Sequence, residues 1–91
     1  MKHRTQEEIT ALILEAANYH SSSATGATQT IIMYKAFLSY VQLKDHLSFL
    51  IEKGLIEYHI GERVYRTTDK GKHFLQIYNQ LNNIFTAIRQ I

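Results

Sequence analysis

The stretch SYVQLKDHLSFLIEKGLIEYHIGERVYRT, residues 39–67, decides the fold. Ser39 and Gln42 have the spacing of a capping box, in which the serine hydroxyl accepts an early helix amide and the glutamine side chain reaches back to the cap amide. Leu43, Leu47, Leu50 and Ile51 then form an apolar stripe of helical period. Gly54, just past Lys53, supplies the left-handed residue and the nearby cation that favour a helix end. Beyond that glycine the period changes. Residues 55–60 and 63–67 are short and rich in Ile, Val, Tyr and Thr, and Gly61 with Glu62 between them suits a two-residue type II′ turn. A capped helix followed by a two-stranded hairpin is expected.

On the N-terminal side, Thr5 and Glu8 repeat the capping-box spacing, and Ile9, Leu12, Ile13, Ala16 and Ala17 give one apolar stripe for a first helix ending near Tyr19. The serine-rich residues 20–27 read as a flexible connection, since small polar side chains disfavour regular structure. Thr28 is a suitable cap for a short second helix to about Ala36, carrying Ile31, Ile32 and Tyr34 in its apolar pattern. On the C-terminal side, Thr68 caps a last helix with Asp69 at its positive end. Phe74, Tyr78, Leu81, Phe85 and Ile88 step by four, three, four and three residues, a heptad seam, with Ile77, Ile84 and Ile91 as a parallel row. The elements thus make a mostly α chain with a small β-hairpin, an α+β class.

Helix, short helix, capped helix and hairpin, in this order, is the plan of a winged helix-turn-helix, whose third helix enters the major groove while the hairpin lies along the backbone or minor groove. One domain over residues 1–91 is expected, with 5–67 as its core and 68–91 as a C-terminal coiled-coil helix. The strings Thr30, Ile31, Ile32, Met33, Tyr34, Lys35, Ala36, then Leu38, Ser39, Tyr40, Gln42, Leu43, and Gly54, Leu55, Ile56 resemble the archaeal ArnR-like winged helix-turn-helix family. Residues 65–75, YRTTDKGKHFL, are similar to that family's wing exit and the start of its last helix. The resemblance implies a small DNA-binding protein, a transcriptional regulator or nucleoid-associated protein, that dimerises through a long C-terminal helix in an antiparallel coiled coil. The residues depart from the pattern in a longer, serine-rich loop and in Asp45 and His46, where bases are expected.

A 100° step per residue from a core-facing Leu43 puts Val41, Asp45, Ser48 and Glu52 on the outer side of the third helix and Gln42 and Lys44 on its flanks. Because the early positions of a recognition helix meet base edges, Tyr40, Val41, Gln42, Lys44 and Asp45 are the candidate base-proximal residues. Gln42 suits adenine and Asp45 suits the amino group of cytosine, while Tyr40 and Gln42 also have plain packing and capping readings. Lys35, Arg63, Arg66 and Lys70 are the candidate phosphate contacts, Arg63 standing at the expected wing tip. In the last helix, Phe74, Leu75 and Tyr78 can pack on their own domain. Tyr78 also begins an apolar surface continuing through Leu81, Ile84, Phe85, Ile88 and Ile91 that is large enough to mark a homodimer interface.

Composition narrows the remaining choices. With 45% hydrophobic and 20% charged residues in 91, the chain matches a single globular domain and neither disorder nor a fibrous repeat. Ten Lys and Arg oppose eight Asp and Glu. The excess lies in residues 35–72, with seven bases against five acids, where a nucleic-acid partner is expected. There is no cysteine, so disulfides and thiolate chemistry are excluded. Apolar runs reach only four residues, far short of a spanning helix, and the basic start at Lys2 leads to Glu7 and Glu8 without an apolar segment, so a cytoplasmic protein is expected, which the resemblance makes nucleoid-associated. His3, His20, His46, His59 and His73 never fall three or four apart, so no metal site is expected. No Gly-rich phosphate loop, no nucleophile elbow and no paired carboxylates in a plausible cleft appear, and neither catalysis nor a cofactor is expected. The rival class is a winged-helix protein-interaction module that does not bind DNA.

Overall fold

A computed structural model describes residues 4–21 and 26–89. The described residues form α1 (Gln6–Ser21), α2 (Gln29–Ala36), α3 (Tyr40–Glu52), β1 (Ile56–His59), β2 (Val64–Thr67) and α4 (Asp69–Arg89). The four helix starts are those read from the caps. Thr5 Oγ1 accepts the Glu8 amide at 3.0 Å and Thr28 Oγ1 that of Ile31 at 3.3 Å. Thr68 Oγ1 accepts the Gly71 amide at 3.1 Å. The capping box of α3 is complete, the Gln42 amide donating to Ser39 Oγ at 3.2 Å and the Ser39 amide to Gln42 Oε1 at 3.0 Å. Each cap satisfies backbone donors that have no partner inside the helix.

α1 is buried more widely than its stripe predicts, and it runs on to Ser21. Thr10, Ala11, Ile13, Leu14, Ala16 and Ala17 are all buried, whereas Ile9 and Leu12 are only partly covered. The cause is its central place, since it packs on α2, β2 and α4. The Thr67 hydroxyl ties β2 to it by donating to the Leu14 carbonyl at 2.6 Å, a buried bond. Ile32, Leu43, Leu50 and Ile56 complete the innermost core. In α2 the buried positions are Ile32 and Ala36, and Tyr34, counted with the apolar pattern, instead faces solvent at 80% exposure. Ile51 likewise is exposed beside the Leu43, Leu47 and Leu50 stripe of α3.

The hairpin departs from its expected turn. Ile56 pairs with Thr67 and His59 with Val64 in an antiparallel register, which leaves residues 60–63 as a four-residue loop. The Arg63 amide donates to the His59 carbonyl at 2.7 Å, and the left-handed residue is Arg63, φ 57°, in place of the glycine. A type II′ turn puts the positive φ at its first central residue; here the longer loop shifts it to the last position before β2. Holding an arginine there costs about 1 kcal/mol.

Two further backbone contacts shape the wing. Residues 22–25 of the serine-rich connection lie outside the described residues, but Ala27 at its end is paired: its amide donates to the Tyr65 carbonyl at 3.0 Å and its carbonyl accepts from the Tyr65 amide at 2.7 Å. The open edge of β2 thus satisfies backbone groups that a loop reading left to water. Gly26 before it has φ 74°, and a Cβ there would stand 2.8 Å from the Tyr65 carbonyl oxygen. At the start of α4, a Cβ on Gly71 would overlap the Leu55 carbonyl and stand 2.6 Å from Thr67 Cγ2, so this glycine lets α4 seat against the chain leading into the wing.

Candidate nucleic-acid interface

The two ends of α3 differ. Its C-terminal end is closed by the fold: Lys53 caps it, Gly54 follows at φ 76°, and the Leu55 amide donates to the Leu50 carbonyl at 2.9 Å. Lys70 Nζ donates to the Lys53 carbonyl at 2.7 Å and the Thr68 hydroxyl to the Gly54 carbonyl at 2.6 Å. Both supply donors to carbonyls that a helix end leaves open, and the cation also suits the negative end of the dipole. Lys53 Nζ lies 5.6 Å from the centre of the Phe49 ring. Among the described residues, nothing covers the N-terminal end of α3 in this way. Tyr40, Val41, Gln42, Lys44 and Asp45 are all exposed there.

The structure therefore brings five of the nine candidate contacts together on the first turns of α3. Lys35 is exposed in the last turn of α2, ahead of this end. Arg63 is exposed in the wing loop. Arg66 is partly buried in β2, and its guanidinium donates to Glu62 across the loop at 2.7 Å, with the carboxylate half-exposed. Lys70 stands at the opposite end of α3, roughly 18 Å along its axis from Tyr40, so it does not join the others. Gln42 has a settled structural role: the oxygen that adenine pairing needs already accepts from Ser39.

Several residues of this face escaped the sequence. The Tyr58 and Tyr65 rings lie 4.7 Å apart, tilted by 44°. Burial first, then the Tyr58 and Tyr40 phenols, push the Tyr65 hydroxyl above its ordinary pKa. Phe37, at φ 55°, ends α2 in the left-handed conformation and is 78% exposed, while the following Leu38 amide donates to Met33 and its side chain is buried. The Arg4 guanidinium holds this corner, donating to the Ala36 carbonyl at 2.6 Å and to that of Phe37 at 3.1 Å. Ile60 is exposed in the wing loop. The unusual backbone of Phe37 carries no residue-type signal, and the Arg4 contacts span 32 and 33 residues, so neither could be read locally.

The last helix divides in the same way. Leu75 is buried and Phe74 and Tyr78 pack partly against the core, their rings stacked 6.1 Å apart. From Leu81 onward the seam is open, with Leu81 50% and Ile88 59% exposed and Ile84 and Phe85 between them. Ile91 lies outside the described residues. Among the described residues, no helix is long and apolar enough to cross a membrane, and no cluster of three metal-ligating side chains occurs.

A helical core whose third helix stands free at its N-terminal end and is followed by a two-stranded hairpin defines a winged helix-turn-helix protein. The chain belongs to the winged helix-turn-helix family, whose pattern matches residues 3–86. No curated protein matches the sequence.

Proposed function

We propose that this protein binds double-stranded DNA as a homodimer, acting as a transcriptional regulator or nucleoid-associated protein of the archaeal ArnR-like type. The observation that carries the proposal is the uncovered N-terminal end of α3, which offers side chains to a groove in a family built for that use. Lys35, Lys44 and Arg63 take phosphates and release counterions. Tyr40, Val41 and Asp45 face the bases, Asp45 accepting from a cytosine amino group. Gln42 fixes the start of α3, Arg66 holds the wing loop through Glu62, and Lys70 joins α4 to α3. As phosphate contacts, Arg66 and Lys70 would exchange these partners for DNA.

The homodimer uses Tyr78, Leu81, Ile84, Phe85, Ile88 and Ile91 of the C-terminal segment, residues 68–91, and the core over 5–67 carries the DNA face. A second copy covers the open seam, whose spacing is that of a coiled coil. The site of action is the cytoplasmic nucleoid.

A gel shift on mixed-sequence duplex across a range of salt tests this. Binding falls as salt rises, and Lys44→Ala with Arg63→Ala lowers affinity on any duplex and flattens the log–log salt slope by about two. An unchanged slope removes these residues from the interface. No binding at low salt assigns the face to a protein partner, the interaction-module alternative.

A further inference from the structure

We infer that the exposed first turn of α3 reads thymine C5-methyl groups in the major groove, with Val41 as the reading side chain. The inference rests on the proposed DNA-binding role and gives it a base preference. Three observations lead to it.

The first is what Gln42 no longer offers. Bidentate readout of adenine needs its amide oxygen and nitrogen together, and the oxygen already accepts from the Ser39 amide. Asp45, one turn further on, only accepts. The second is what is there instead. Val41 lies on the outer side of α3 and is 66% exposed, while Phe37 and Tyr40 just before it are exposed as well. A β-branched residue is a poor choice for an exposed helix position, and among the described residues Val41 takes no part in the core. The third is charge. Lys44 on the same helix and Lys35 in the last turn of α2 are exposed cations, against Asp45 as the acid of the first α3 turns, which suits an apolar element pressed against a polyanion.

Thymine alone among the four bases presents a methyl group in the major groove, and apolar side chains recognise it. Each methyl taken from water into contact with Val41 is worth about a fourfold gain in affinity, from the burial value of one carbon. Asp45 one turn later repels phosphate and favours a cytosine amino group, so the two residues together select T and C on one strand.

The test uses fluorescence anisotropy with full-length protein and matched duplexes: one A·T-rich, the same with every thymine replaced by uracil, and a G·C-rich pair with cytosine or 5-methylcytosine. Uracil keeps the base pairing and removes only the methyl; 5-methylcytosine puts a methyl at the equivalent place. The wild type is expected to lose about fourfold per contacted methyl on the uracil duplex and to gain on 5-methylcytosine. Val41→Ser, at an exposed position and with an unchanged circular dichroism spectrum, is expected to bind the members of each pair equally. Equal wild-type affinity for the thymine and uracil duplexes overturns the inference. A uracil penalty that survives in Val41→Ser overturns the role of Val41. Failure to bind any of the duplexes at low salt overturns the DNA-binding role itself, a separate outcome.

Discussion

Two apolar surfaces of this chain are open, and their charges differ. From the end of α2 to the first turns of α3, exposed Tyr34, Phe37, Tyr40 and Val41 are interleaved with the charges of Lys35, Lys44 and Asp45, and the wing loop adds Ile60, Glu62 and Arg63. Along the distal half of α4, from Gln76 to Ile88, there is no charged residue, and Leu81, Ile84, Phe85 and Ile88 share the helix with Asn, Gln and Thr. Charge is depleted at the core of protein–protein interfaces, whereas cations gather where a polyanion binds. The proposed DNA face and the proposed self-association seam are thus distinguishable by their charge, although both are apolar.

The largest effect expected from breaking this contrast is on the α4 surface. Leu81→Asp with Ile88→Asp buries like charges in a dry seam and should weaken self-association by roughly 3–5 kcal/mol. Sedimentation should then give the monomer mass of 10.6 kDa, against twice that for the wild type. A wild type already monomeric at micromolar concentration would sink the dimer. Next in size, Gly71→Ala drives a methyl into the Leu55 carbonyl, where backbone has to move, and should cost about 2 kcal/mol in a urea melt. A neutral result would mean that α4 has room to shift where it seats against the chain leading into the wing.

Smaller still is Ser39→Ala, which removes half of the capping box and should lower stability by about 1 kcal/mol, loosening the turn that carries Val41. The smallest concerns Tyr65. Its pKa is raised in the fold, so above about pH 10 the unfolded chain loses this proton first and ionisation favours unfolding. Stability therefore falls as pH rises through that value, and Tyr65→Phe should reduce the fall. The same slope in both proteins would show that Tyr65 is not the cause.

The residues show why some of this was legible and some was not. Caps are local, set by two residues three apart, and Thr5, Thr28, Ser39 and Thr68 announced the four helix starts. The heptad steps likewise marked the open seam of α4. The wing loop was misread because its length follows from strand register, and the positive φ falls on Arg63, a residue type that gives no sign of it. Tyr34 and Ile51 were counted with apolar patterns that periodicity alone drew too wide. Arg66 and Lys70 looked like free surface cations, yet Arg66 pairs across a turned loop and Lys70 meets a carbonyl 17 residues away. The candidate base-proximal residues follow from helix geometry alone. The apolar nature of that end became clear only once Gln42 was seen to be held by its cap.

The most direct measurement is a titration of a short duplex into isotope-labelled protein, followed by amide shifts in a two-dimensional NMR spectrum. The amides of Val41, Lys44 and Arg63 should move with added DNA, while those of Leu81, Ile84 and Ile88 stay in place. Movement confined to the distal half of α4, with the α3 and wing amides unchanged, would contradict the account.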